Sequence, residues 1–132
     1  MSRVIDGDTL VLDMGEKIRL AGINSPELAR ENRPAEPLAN EAKSALEGLL
    51  VDGRAQVEVA QEAKDRYGRT LACLFTPDGQ SVQRRLLLDG LASVVVISPN
   101  DRYLREYSVA EDKARKPYRG IWSLSFCLPV LP

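Results

Sequence analysis

The chain of 132 residues is predicted to adopt an α+β fold, on three observations. Segments with an apolar residue at every second position come in a group of three and a group of two. One helical-period segment separates the groups and two more follow them, without the regular strand–helix alternation of a doubly wound sheet. The length and the 44% hydrophobic content suit one domain that buries about two-thirds of the surface its unfolded chain would expose. Disorder would need low hydrophobicity and a large net charge, whereas the net charge is −1.

Each element has its own signal. Arg3–Asp6 reads as the end of a strand, and Thr9–Asp13 alternates as a second strand up to a turn at Met14-Gly15. Lys17–Ile23 is its hairpin partner, ended by Ser25-Pro26 because proline cannot donate to a sheet ladder. Residues 24–36 form a polar loop. From Pro37 the period changes: Leu38, Ala42, Ala45, Leu46, Leu49 and Leu50 share one helical face, with Gly53 suited to the end. Ala55–Ala60 alternates again, the charged segment Glu62–Arg69 leads into the strand Thr70–Phe75, and Pro77-Asp78-Gly79 supplies a turn. Val82–Asp89 is a short helix stopped by Gly90, and Leu91–Ile97 is a β-branched strand. Ser98-Pro99-Asn100-Asp101 is expected to start the last helix, Arg102–Arg115, with Leu104, Val109 or Ala110, and Ala114 facing inward. The first five strands, with a helix after the third, match a small Greek-key β-barrel of the OB type with three helices.

Composition excludes several chemistries. There is no histidine, which removes serine–histidine and cysteine–histidine catalysis and imidazole-bound metals. Acid–base work falls to Asp, Glu, Lys or Tyr, and any metal must favour oxygen, as calcium, magnesium and manganese do. Cys73 and Cys127 are too few for a disulfide scaffold. Cys73, mid-strand beside Leu71 and Phe75, reads as a buried small hydrophobe. The apolar run Leu91–Ile97 is seven residues, far below the roughly 20 that a membrane helix needs. Charge is uneven: residues 1–66 hold 9 basic and 13 acidic groups, residues 67–132 hold 9 and 6. Arginine outnumbers lysine 13 to 5, a bias that suits forked binding of phosphate or carboxylate but also occurs as plain composition.

Three clusters could carry chemistry: Ile5-Asp6-Gly7-Asp8-Thr9, Arg19-Leu20-Ala21-Gly22-Ile23-Asn24-Ser25-Pro26-Glu27, and Asp65-Arg66-Tyr67-Gly68-Arg69. Singly, each has an ordinary explanation. Asp-Gly is a common turn dipeptide, and charged residues at strand ends are usually solvated. Together, in this order and with Gly90-Leu91-Ala92 and Gly120-Ile121-Trp122, they resemble the staphylococcal nuclease (thermonuclease) family over residues 3–123. The family's five-stranded OB barrel with three helices agrees with the fold read from periodicity.

The resemblance implies a calcium-dependent, sugar-nonspecific endonuclease that hydrolyses phosphodiester bonds of DNA and RNA and leaves 3′-phosphate ends. It makes Asp8 the metal-binding carboxylate, with Asn24 and the backbone carbonyl of Ser25 as further ligands. Arg19 and Arg69 hold the scissile phosphate, Glu27 is the general base, and Arg66 and Tyr67 line the nucleotide site. The chemistry is coherent: attack on a phosphodiester adds charge to an anion, which a divalent cation and two guanidiniums would stabilise. A carboxylate that orients or deprotonates water is worth typically 10²- to 10⁴-fold.

Two departures matter. Asn24 stands where a second metal-binding aspartate is expected, which lowers the charge of the site and predicts weaker calcium binding or tolerance of other divalent ions. Val96 and Ser98 stand where nucleotide-binding tyrosines are expected, which leaves Tyr67 as the main aromatic near the substrate. The competing reading is therefore a non-catalytic OB module that binds single-stranded nucleic acid. A protein-interaction domain has only the apolar tail, residues 124–132, behind it. Expected partners are DNA and RNA, preferentially single-stranded, for a monomer without a membrane span. Such a barrel's first strand usually begins earlier, so Met1-Ser2 reads as an engineered or processed end. Family resemblance points to an exported or periplasmic protein, with no signal peptide in this chain. Arg102, Arg105, Lys113, Arg115, Lys116 and Arg119 form either a solvated face or a nucleic-acid-facing one.

Overall fold

The computed structural model describes residues 3–29, 34–50, 53–96 and 99–124. Arg3–Asp6 (β1) turns through Gly7 and Asp8 into Thr9–Val11 (β2), which forms a hairpin with Lys17–Leu20 (β3). Gly7 is required by close approach: a Cβ there would stand 2.7 Å from the Cβ atoms of both Ala42 and Ser25. The strand expected to run on to Ile23 instead breaks at Ala21-Gly22 and resumes as Ile23–Asn24 (β4). Gly22 has φ +83°, and a side chain there would strike the Tyr107 ring 2.9 Å away, so the bend needs glycine twice over.

Helix α1, Ala39–Leu49, buries Ala39, Ala42 and Leu46 and begins two residues after Pro37, with Leu38 left-handed at its N-cap. Gln56–Lys64 (β5) continues past the expected end at Ala60 and pairs antiparallel with Thr70–Phe75 (β6). β3 pairs with β6 in parallel, Arg19 opposite Leu71, which gives a mixed sheet in the order β1-β2-β3-β6-β5 with β1 and β5 at its edges. β4 pairs separately with Ser93–Val94 (β7), all that forms of the expected strand Leu91–Ile97 among the described residues. Helices α2, Val82–Leu88, and α3, Leu104–Arg115, complete an α+β architecture.

The core joins Leu10, Ile18 and Leu20 from the sheet to Leu46, Leu86, Leu87 and Tyr107 from the helices. Each large apolar side chain so buried contributes about 1.5–3 kcal/mol. On α3, Tyr107, Ala110 and Ala114 face inward, while Val109 is exposed; of the two neighbouring candidates, the helix buries Ala110. Gln83 is fully buried and binds the Ala21 and Ala72 carbonyls and the Leu74 N–H, which ties α2 to the β3–β4 bend. Cys73 is buried, as expected. The Gly90 and Gly120 motifs meet each other: Ile121 donates to the Gly90 carbonyl at 2.7 Å, and a Cβ on Gly90 would sit 2.3 Å from the Arg119 carbonyl oxygen. These two pieces of the motif set close the fold. Met1-Ser2, Ile97, Ser98, Cys127 and the tail from residue 125 lie outside the described residues. Among the described residues, no helix is long and apolar enough to cross a membrane.

Candidate active site

Strand pairing creates the site. Partners in parallel register point to the same face, as do residues two apart on one strand. Arg19 and its partner Leu71 therefore share one side of the sheet, and Arg69 lies in the loop two residues before Leu71. All three line a cleft of about 490 Å³, together with Arg66, Tyr67, Val95 and Asn100. Arg19 comes from β3 and Arg69 from the loop before β6, and the β3–β6 ladder is what brings them together.

The Arg19 guanidinium is wrapped by the chain that follows it. Nη1 donates to the Leu20 carbonyl and, at 2.8 Å, to the Ile23 carbonyl, while Nη2 donates to the side-chain oxygen of Asn24. The Ala21-Gly22 bend is what curls those acceptors round it. Nη2 also lies 3.4 Å from Asp8 Oδ2. Asp8 is only 6% exposed; its carboxylate accepts from the Ser25 N–H at 2.9 Å and the Thr9 hydroxyl at 3.0 Å. Ser25 is buried as well, and its Oγ has no hydrogen-bond partner among the described residues. Asp6 lies beside Asp8 and accepts its N–H at 3.2 Å. Burial, and after it the charge of Asp8, pushes the Asp6 carboxyl up to about 6.

The opposite wall is a tight loop. Asp65 Oδ1 accepts the N–H groups of Tyr67 and Arg69, both at 2.9 Å, and Oδ2 accepts Arg69 Nε at 2.7 Å. Burial raises the Asp65 carboxyl, but the hydrogen bonds from Arg69 and Tyr67 outweigh it and hold the group below the usual carboxylate range. Gly68, at φ +78°, closes the turn. Tyr67 is 68% exposed, with the Arg66 and Arg69 guanidiniums 4.9 and 5.4 Å from its ring centre.

Of the residues singled out from the sequence, Arg19, Arg66, Tyr67 and Arg69 line the cleft, while Asp8, Asn24 and Ser25 gather round Arg19 behind it. Glu27 lies two residues past Ser25 and lines a neighbouring hollow with Glu36, Pro34 and Pro37. A reciprocal bond holds it there: Glu27 N–H donates to Glu36 Oε1 at 2.7 Å and Glu36 N–H to the Glu27 carbonyl at 2.8 Å. Sequence reasoning missed Asn100 as a wall of the cleft and read it as part of a helix start. Its side chain instead clasps the Glu62 backbone from both sides, at 2.8 and 3.0 Å. Only the Pro99-Asn100-Asp101 run, whose side chains favour local backbone bonds, marked it.

The chain matches the family described as staphylococcal nuclease homologues over residues 17–124. It is 35% identical over 125 residues to a thermonuclease of Staphylococcus intermedius, covering 92% of this chain and 74% of that protein. It is 34% identical to a thermonuclease of Staphylococcus hyicus, covering 92% and 73%. Against endonuclease YncB of Bacillus subtilis it is 35% identical, covering 95% of this chain and 61% of that longer protein. These relatives support a nuclease function, and the chain belongs to the staphylococcal nuclease family.

Proposed function

We propose that the chain is a calcium-dependent endonuclease that hydrolyses phosphodiester bonds of DNA and RNA to 3′-phosphate ends, working as an exported monomer that prefers single strands. The observation that carries this reading is the convergence of Arg19, on β3, and Arg69, in the loop that enters its parallel partner β6, on one cleft. Two guanidiniums lining one space suit the non-bridging oxygens of a phosphodiester, and their hold strengthens as negative charge builds in the five-coordinate transition state. Glu27 orients or deprotonates the attacking water. Tyr67 and Arg66 stack against and pair with the neighbouring nucleotide, and the open rim suits an unpaired strand whose bases are free to stack. We take the mixed sheet together with β4–β7 as an OB-type barrel, the scaffold expected from the sequence.

The residues around Arg19 suit a hard divalent cation. Asp8, the amide oxygen of Asn24 and the Ser25 carbonyl are all oxygen donors, the buried Ser25 Oγ lacks a partner among the described residues, and two buried carboxylates, Asp6 and Asp8, crowd together. Calcium bound there would supply positive charge to polarise the phosphate. Asn24 leaves the set one charge short of a pair of carboxylates, so other divalent ions are expected to compete.

The test is cleavage of denatured DNA in a calcium titration, with EDTA and Glu27→Ala as controls. Calcium-dependent cutting lost in both controls is the expected result. Salt-sensitive binding of the same strand without cutting at millimolar calcium would overturn it in favour of a binding module. Asn24, held by Arg19 rather than by a second carboxylate site, is the feature that favours that second reading.

A further inference from the structure

A second groove, of about 390 Å³, lies between α2 and the start of α3, lined by Arg84, Arg102, Tyr103, Arg105, Glu106 and Val109. Three guanidiniums from two helices and a loop converge on it. Arg102 is paired with Glu58 and stacks 5.5 Å from the Tyr103 ring centre. The side chains of Arg84 and Arg105 are exposed and have no carboxylate or hydrogen-bond partner among the described residues, although Glu106 shares the groove. Arg19, Arg69, Arg85 and Arg115, by contrast, each face a carboxylate within 4.0 Å. Like charges gathered without partners repel one another, and an anion laid between them removes that cost. Tyr103 and the 51% exposed Val109 add an apolar edge beside the charges.

One short loop borders both the groove and the cleft. Asn100, a wall of the cleft, is clasped to Glu62, and Arg102, a wall of the groove, is paired with Glu58. Both partners lie on β5, four residues apart, and so at most about 14 Å apart. We infer that this groove is a remote phosphate-contact site for the same single strand whose scissile bond lies in the cleft, and that it lets the protein grip long strands more tightly than short ones. The inference rests on the nuclease reading above and extends it to a surface that performs no chemistry.

The test uses the double variant Arg84→Gln/Arg105→Gln, whose side chains are exposed and lie outside the cleft. Wild type and variant are compared on a 20-nucleotide single strand and on a mononucleotide diester that fills only the cleft. For the long strand, KM is expected to rise about tenfold. Its binding, followed by fluorescence anisotropy in EDTA, should show a slope of log K against log salt shallower by about 1.4, the loss of two single-strand phosphate contacts. Turnover of the mononucleotide diester is expected to stay within about twofold, since a lost phosphate contact weakens strand binding without touching the cleft. Unchanged affinity and salt slope for the long strand would overturn the inference, as would an equal loss on both substrates. If the wild type cleaves neither substrate, the nuclease reading fails by itself. The binding arm then still decides: a salt-dependent loss confined to the long strand supports the groove, and its absence overturns it.

Discussion

The two walls of the cleft hold their arginines by different means. Arg19 is fixed by the Leu20 and Ile23 carbonyls, the exposed Asn24, and a buried Asp8 that also holds the Ser25 N–H. Arg69 is fixed by its own loop, in which one carboxylate, Asp65, takes three hydrogen bonds from Tyr67 and Arg69. The first arrangement is part of the fold; the second is a local turn with an exposed aromatic on top. Damage to the first wall should therefore appear in stability and activity together, and damage to the second in activity alone.

The largest expected effect is at the buried wall. Asp8→Ala strips Arg19 of its ion partner and the Ser25 N–H of its acceptor, and breaking a pair this buried costs about 3–5 kcal/mol. Urea unfolding in EDTA should show that loss, and a change below about 1 kcal/mol would mean that Asp8 is not the anchor of this wall. At the other wall, Asp65→Asn should leave stability nearly unchanged while kcat on denatured DNA falls about tenfold, from misplacement of a transition-state donor. An unfolding midpoint that drops as far as in Asp8→Ala would erase the distinction between the walls. Tyr67→Ala should raise KM about tenfold by removing a stacking surface, with stability within about 0.5 kcal/mol because the ring is exposed; an effect on kcat alone would place the ring elsewhere in the reaction.

A further effect concerns pH. Folding raises the Asp6 carboxyl from 3.8 to about 6, so the folded state binds its proton more tightly than the unfolded chain does. The contribution is complete below pH 3.8 and is lost as pH rises through about 6. In EDTA, Asp6→Asn should remove that decline and leave the variant more stable than wild type at pH 7.5. Thermal unfolding at a series of pH values checks this, and parallel curves for the two proteins would refute it.

What could be read from the sequence follows the same division. The loop Asp65-Arg66-Tyr67-Gly68-Arg69 makes its contacts within itself, so five consecutive residues already specify it. Asp8 and Arg19 stood out in the sequence as candidate site residues, but the device that holds Arg19 did not. It depends on the bend at Gly22, where the Tyr107 ring, from a helix far along the chain, leaves no room for a side chain. Lys17–Ile23 therefore read as one strand where two form. Gln83 was missed for a related reason: a glutamine in a short helix reads as solvated, and only the backbone groups of three other positions make its burial tolerable. Asn100 serves β5 across a separation of 38 residues, which local turn chemistry does not reveal.

The most direct test of the convergence of the two walls is to measure kcat on denatured DNA for Arg19→Ala and Arg69→Ala side by side, at saturating calcium. If both guanidiniums act on one phosphate as it gains charge, each variant loses at least about 10²-fold in turnover. Wild-type turnover in either one would contradict the account, because the cleft would then have a single working wall.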